Sequence, residues 1–187
     1  FAETVYTSGN DLLSLINEIL DLSKVEAGKM PIDPKTFHVR EVRDYLEQTF
    51  RHVADQKGLS FEIKTAGNLP NTMFSDISRL QQILKNLLSN AFKFTAKGSV
   101  TMFISRVTDG PYENLISFAV RDTGIGISPD KQKLIFEAFQ QADGTTSRKY
   151  GGTGLGLSIS RDLARLLGGE LTVDSKLGVG STFTLSL

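Results

Sequence analysis

The chain has 187 residues, enough for one well-buried domain and an appendage. Lysine plus arginine and aspartate plus glutamate each number 21, so net charge gives no general attraction to nucleic acid or an anionic membrane. There is no cysteine, which excludes disulfides, thiol catalysis and cysteine metal sites, and no apolar run approaches the ~20 residues that cross a bilayer.

Residues 2–27 read as one long helix. Ala2, Gly9, Ile16 and Ser23 share a heptad position, Val5, Leu12 and Ile19 a second, and Tyr6, Leu13, Leu20 and Ala27 a third, while Leu15 and Leu22 widen the face. That face is broader than a two-stranded seam and suits a helical bundle. Gly28 reads as its C′ residue, and Pro31 and Pro34 bar continuation. A lone helix cannot bury such a face, so the expected partner is a second copy, in a dimer bundle lacking its first helix, ahead of simple packing on the following domain. Residues 29–37 read as a linker, and the start at Phe1 without a signal-peptide pattern reads as an excised soluble fragment.

An amphipathic helix follows at about 39–57, with Val39, Val42, Leu46, Phe50 and Val53 inward, His38 and Glu41 at the capping-box positions and Gly58 as its end. Leu59–Thr65 reads as a strand, and 68–71, with Pro70, as a turn into the next helix. That helix, Asp76–Thr95, carries Ile77, Leu80, Ile83, Leu84, Leu87, Leu88 and Ala91 at three- and four-residue steps, behind Asp76 as N-cap. At about 100° per residue, Asn86, Asn90 and Lys93 fall in a stripe of roughly 60° at the rim of the apolar face. Strands at 99–107 and 115–121, joined across 109–114, precede a glycine-dotted polar stretch at 122–153. A helix at about 155–167 and strands at 170–174 and 181–187 close the chain. The order implies a mixed sheet with helices on one face, an α/β sandwich.

Two glycine-rich stretches bear on the Asn86–Lys93 stripe. Strand 115–121 ends in Asp122-Thr-Gly-Ile-Gly-Ile127; a carboxylate buried there needs hydrogen-bond donors, and the glycines allow a flat ring to approach. An adenine amine would donate to Asp122, whereas guanine would present an oxygen. A solvated aspartate in a D-x-G turn is the alternative. Tyr150–Leu157, YGGTGLGL, leads into a helix N-terminus, which offers amides and a positive dipole end to phosphates, or else forms a tight turn beneath a buried helix. No Lys-Ser or Lys-Thr follows, so it is not a Walker loop.

In fixed order, these stretches resemble the catalytic, ATP-binding domain of sensor histidine kinases, within the GHKL ATPase superfamily. RLQQILKNLLSNAFKFT (79–95) is similar to the N box, Asp122–Ile127 to the first glycine box, Phe136–Phe139 to the F box, Gly152–Leu157 to the second glycine box, and GVGSTFTL to the last hairpin. LINEILDLSKVEAGKM resembles the end of the second dimerisation-bundle helix, especially of hybrid kinases.

The resemblance implies an α+β fold, a two-layer sandwich of Bergerat type behind a bundle helix, divided into 1–30 (bundle) and 31–187 (catalytic). It implies ATP and Mg²⁺, with Asn90 on the metal, Asn86 beside it and Lys93 on phosphate. Asp122 would read adenine, with Gly124, Gly126 and Ile127 making room and Thr182 supporting adjacent water. Gly152, Thr153, Gly154, Leu155, Gly156 and Leu157 would fold over the triphosphate. Residues 128–151 would form a lid anchored by Phe136 and Phe139, with Arg148 and Lys149 as candidate γ-phosphate contacts. The implied partners are its own phosphoacceptor bundle, as a homodimer through 2–27, and a response-regulator receiver domain, with neither nucleic acid nor direct membrane contact. The implied setting is the cytoplasmic part of a larger sensor. No acceptor-type motif surrounds His38 or His52, so the fragment is expected to lack its own acceptor. The competing readings are a GHKL-type ATPase, which would carry a glutamate base where this chain has Asn86, and a nucleotide-sensing module without catalysis.

Overall fold

The computed structural model describes residues 2–108, 115–138 and 154–187. Among them run helices α1 (Ala2–Glu26), α2 (Val39–Lys57), α3 (Ile77–Phe94) and α4 (Gly156–Leu166). The strands are β1 (Lys35–His38), β2 (Ser60–Thr65), β3 (Thr72–Ser75), β4 (Ser99–Arg106), β5 (Ile116–Asp122), β6 (Glu170–Lys176) and β7 (Gly180–Ser186). The turn expected at 109–114 lies outside the described residues.

Period-two burial builds the main sheet, ordered β2–β4–β5–β7–β6. Val100, Met102 and Ile104 of β4, Phe118 and Val120 of β5 and Phe183 and Leu185 of β7 are buried, while Thr101, Ser117, Ala119 and Thr184 between them are half-exposed. β2 and β4 run parallel and the other neighbours antiparallel. Helices α2, α3 and α4 pack against this sheet. The expected two-layer α/β sandwich is therefore present.

Helix α3 lies at the centre because its apolar face is nearly continuous: Leu80, Ile83, Leu84, Leu87, Leu88, Ala91 and Phe92 are all buried. Phe92 stacks on Phe50 of α2 at 5.5 Å between ring centroids and meets Phe61 of β2 edge-on at 5.3 Å, so one ring joins two helices to the sheet.

The sequence reading missed one element. Residues expected as linker and turn form a small antiparallel sheet, β1 with β3, in which Phe37 pairs with Met73. Four-residue strands carry too little alternation to stand out. Phe37, paired with Met73, is buried and Phe74, paired with Thr36, is exposed, so the small sheet lays one face on the core.

Asp76 ties this region to α3. Its Oδ1 accepts from the N–H groups of Ser78 (2.9 Å) and Arg79 (3.1 Å), and its Oδ2 from that of Asp33 (3.0 Å). One carboxylate thus caps the helix and holds the incoming chain.

Helix α1 divides its apolar residues between two sides. Leu22 is buried, and Leu15 and Val25 pack partly against the core, where α1 meets α4. Leu12, Leu13, Ile16, Ile19 and Leu20 remain 42% to 59% exposed. Packing on the domain therefore accounts for one side and leaves the other uncovered. No helix among the described residues is long and apolar enough to cross a membrane.

Burial pushes the Asp76 carboxyl up, but the amides of Asp33, Arg79 and Ser78 and the Arg79 guanidinium outweigh it and hold it below its ordinary value. A depressed folded value means stability present at neutral pH and lost as pH falls through that value. Asp76→Ala should cost about 1–3 kcal/mol at pH 7, by the usual worth of a cap and charge-assisted bonds. The deficit should shrink towards pH 3. Urea midpoints of both proteins at the two pH values check this, and an equal deficit at both would contradict it.

Candidate functional site

The α3 stripe sits where the periodicity placed it. Asn86, Asn90 and Lys93 are half-buried at the margin of the apolar face. Asn86 Nδ2 donates to Ser160 Oγ on α4 at 2.9 Å, and Asn90 Nδ2 reaches Asn86 Oδ1 at 3.4 Å. Burial draws the Lys93 ammonium below the ordinary lysine range, and its Nζ lies 5.2 Å from the centroid of the Phe94 ring.

Helix α4 approaches this stripe at Gly156, its first residue. A Cβ there would stand 2.5 Å from Asn86 Oδ1, so a larger residue would have to push the amide aside. Leu155, just ahead, is fully buried and accepts from Ser158 Oγ at 2.8 Å, which fixes the entry of the chain. Gly154 has φ 73°, and Leu157 is half-buried.

Asp122 closes the other side. It is 7% exposed at the end of β5, with Oδ1 accepting from Gly124 N–H at 2.8 Å and the carboxylate also accepting from Ser181 N–H. Burial pushes its pKa up, against the two amides, which draw it down; the net shift is upward. The following turn is held from three directions. Ile125 N–H donates to Phe94 O at the end of α3 (3.3 Å), Ile125 O accepts from Gly178 N–H (2.7 Å), and Ile127 N–H donates to Ser175 Oγ (2.8 Å). Gly126, at φ 67°, has Lys176 O where a Cβ would lie. The bond to Phe94 brings the Asp122 turn against the C-terminal end of the Asn86–Lys93 helix. The two predicted clusters therefore share one end of the sheet.

One expected residue is misplaced. Thr182 pairs with Arg121 and with Asp174, so it lies on the opposite face of the sheet from Asp122. Ser181 takes the facing position, and its Oγ lies 2.8 Å from Ser175 Oγ. In a Ser-Thr pair on a strand only the register decides which residue faces the site, and the sequence does not carry it. Ser160 and Ser175 were likewise not singled out; each is a single serine in an element read for its apolar residues.

Phe136 is buried and meets Phe183 edge-on at 6.4 Å, behind the Asp122 turn, and Gln132 Nε2 donates to Ser175 O (2.7 Å) and Ile127 O (3.2 Å). Phe139, Arg148, Lys149, Gly152 and Thr153 lie outside the described residues.

No group of three or more His, Cys, Asp or Glu side chains arranged to hold a metal occurs among the described residues. The donor available at the stripe is the amide oxygen of Asn90, whose Nδ2 is directed to Asn86. One hard oxygen from protein, with water and phosphate supplying the rest, suits Mg²⁺. A cavity of about 510 Å³ lies elsewhere, between the start of α2, at His38, Val39, Arg40 and Arg43, and Thr65, Ala66 and Leu69 to Asn71. Since β2 runs parallel to β4, and β4 begins beside Asp122, Thr65 marks the far end of the sheet.

Residues 75–187 match the family described as histidine kinase-, DNA gyrase B- and HSP90-like ATPase. The chain is 43% identical over 190 residues to hybrid signal transduction histidine kinase L of Dictyostelium discoideum, which covers all of this chain and 11% of that protein. It is 42% identical over 186 residues to the autoinducer 2 sensor kinase/phosphatase LuxQ of Vibrio vulnificus, covering 99% of this chain and 22% of LuxQ. The structure of full-length ShkA in complex with AMPPNP superposes with a TM-score of 0.82 at 33% identity, over 95% of this chain and 36% of that one. The chain thus spans between about a tenth and a quarter of the length of the curated relatives it matches.

The contact between Gly156 and Asn86 is testable through coupling. Gly156→Ala should destabilise the protein by about 1–3 kcal/mol, as overpacking does. In an Asn86→Ala background the same change should cost less, because the obstructing oxygen is gone. A coupling above ~0.5 kcal/mol from a denaturation cycle supports the contact, and additive losses would rule it out.

Proposed function

Because the chain belongs to the histidine kinase-, DNA gyrase B- and HSP90-like ATPase family, we propose that it is the ATP-binding catalytic part of a two-component sensor histidine kinase of hybrid type, transferring the γ-phosphoryl group of ATP to a histidine outside this chain. What carries the reading is the meeting, at one end of the sheet, of a buried carboxylate, an amide–ammonium stripe and a helix opened by glycine. Relatives named as hybrid and sensor kinases that match along the whole chain, α1 included, support the kinase over other members of the family.

In this reading Asp122 accepts from the adenine amine, and the Gly124–Ile127 turn borders the base. Lys93, half-buried at the end of the stripe, meets phosphate; an anion there would favour the charged ammonium that burial disfavours. Asn90 supplies an amide oxygen to Mg²⁺, which when bound neutralises phosphate charge. Asn86, held by Ser160, fixes the side chain beside it. The Gly154–Leu157 segment presents the N-terminus of α4 to phosphates. Gly152, Thr153, Phe139 and Arg148 complete the proposed site from outside the described residues. An amide at position 86 cannot act as the general base that water would need, whereas an imidazole is itself nucleophilic, so transfer is favoured over hydrolysis.

The division at residues 1–30 and 31–187 follows from the same reading. The uncovered side of α1, with Leu12, Leu13, Ile16, Ile19 and Leu20, supports a homodimeric bundle completed by the acceptor-bearing helix. A receiver-domain aspartate is the onward acceptor, and the setting is the cytoplasmic part of a larger sensor.

Asp122→Asn keeps the size of the side chain but replaces one acceptor oxygen by a donor, and should weaken ATP by at least about 1–3 kcal/mol in calorimetry. Equal affinity in both proteins would refute the adenine role. Asn90→Ala should nearly abolish Mg²⁺-dependent transfer to an added acceptor bundle while leaving metal-free adenine-nucleotide binding in place; full transfer by this variant would remove Asn90 from the metal site. With γ-labelled ATP, acid-labile and base-stable label should appear on the supplied bundle. Stoichiometric label at His38 or His52, or rapid hydrolysis without an acceptor, would overturn the kinase reading.

A further inference from the structure

Ser175 of β6 stands where three segments meet, directly opposite Ser181 of β7 in the sheet register. Its Oγ has three polar neighbours: the N–H of Ile127 at 2.8 Å, the carbonyl of Gly180 at 3.0 Å and the Oγ of Ser181 at 2.8 Å. We propose that Ser175 is a specificity-determining residue: it fixes the direction of the Ser181 hydroxyl proton and so keeps the wall of the base pocket beside Asp122 lined by acceptors, which selects a 6-amino over a 6-oxo purine. The proposal rests on the ATP reading above.

The proton count leaves one arrangement in which all three contacts are hydrogen bonds at once. A hydroxyl has one proton and two lone pairs. The Ile127 N–H can only donate and therefore occupies one lone pair of Ser175. The Gly180 carbonyl can only accept and therefore takes the Ser175 proton. A single lone pair remains for Ser181, so Ser181 must be the donor in that contact. Its proton is then directed into the protein, and its oxygen keeps only lone pairs for anything else. The Ser181 N–H is also committed, to the Asp122 carboxylate.

Ser181 lies on the same sheet face as Asp122, since its neighbour Thr182 pairs with Arg121. The two side chains therefore present oxygens without protons towards the pocket. An exocyclic amine, or a water that donates, satisfies them, whereas a 6-oxo group meets acceptor against acceptor. Gln132 holds Ser175 and its neighbouring turn from the other side. Its Nε2 donates to the Ser175 carbonyl at 2.7 Å and to Ile127 O at 3.2 Å, bracing the same turn that supplies the Ile127 N–H.

The test compares ADP with IDP, which differ at position 6, by calorimetry on the intact chain. The native protein should prefer ADP. In Ser175→Ala the Ser181 hydroxyl loses its acceptor, turns and can donate, so the ADP:IDP preference should fall about five- to tenfold, the worth of one hydrogen bond. Ser175→Thr, which keeps the hydroxyl, should restore it. Ser181→Ala removes one acceptor and should also lower the preference, which keeps the test decisive if Ser175→Ala does not fold. A purely structural role for Ser175 would weaken ADP and IDP equally, and that outcome overturns the proposal. So does an unchanged preference in Ser181→Ala. A native protein that binds ADP, with Asp122 required, while neither serine variant shifts the ratio, leaves the ATP reading standing and removes only this one. Failure of the native protein to bind ADP overturns both.

Discussion

A carboxylate that is almost wholly out of water governs the arrangement of this molecule. Asp122 ends β5 with 7% exposure, and an unpaired group of that kind would cost several kcal/mol. Two amides meet it, one from its own turn and one from the neighbouring strand. The first requires the chain to double back at Gly124, and the second requires β7 to run beside β5 in one register. Once both are in place the turn cannot move independently of the sheet, because its next residues are bonded to the end of α3 and to the β6–β7 hairpin. Burial still leaves the carboxyl above its ordinary pKa, so the site retains electrostatic cost that a hydrogen-bond donor in the pocket would offset.

Helix α3 answers that constraint from the other layer. Its buried face fixes it to the sheet, and its polar rim follows from the same rotation about the axis. Two neighbours then hold the rim: the Phe94 carbonyl receives the Asp122 turn, and Asn86 is held by Ser160 of α4. Gly156 leaves room for that second contact, since a Cβ there would stand 2.5 Å from the Asn86 amide oxygen. The candidate site is assembled from a strand end, a helix rim and a helix start, each positioned by hydrophobic burial and brought together by a few polar bonds.

What the sequence made legible follows this division. The long helices, the core strands and the polar rim of α3 announce themselves through periodicity, and Asp76 through its place ahead of an apolar run. The β1–β3 sheet does not, because four-residue strands have no room for a pattern and their pairing joins residues 35 and 75. Serine at 181 rather than threonine at 182 is a matter of register, which depends on the partner strand rather than on either residue. Ser160 and Ser175 were hidden for a related reason: their importance lies in single contacts across the fold, to Asn86 and to Ile127 and Ser181, and no local sequence signal encodes a contact at such distance.

The relation between α1 and the rest of the chain shows the same logic at a larger scale. Asp21 Oδ2 accepts from Gln82 Nε2 at 2.8 Å and lies 4.0 Å from Arg79, which itself donates to Gln82 Oε1 at 2.9 Å. Arg79, Gln82, Asn86, Asn90 and Lys93 follow one another by steps of three and four, so they form a single line along α3. The first two residues of that line touch α1, and the last three form the proposed phosphate and metal side of the pocket. Leu22 meanwhile is buried and Val25 lies beside Asp162, Arg165 and Leu166 of α4, the helix that holds Asn86 from the other side. Both helices that define the position of Asn86 are thus the ones in contact with α1. Part-buried polar bonds and a few apolar side chains make this a modest contact beside the rest of the core. A change in how α1 sits would reach the candidate site through α3 and α4, the helices that carry Asn86 and Ser160.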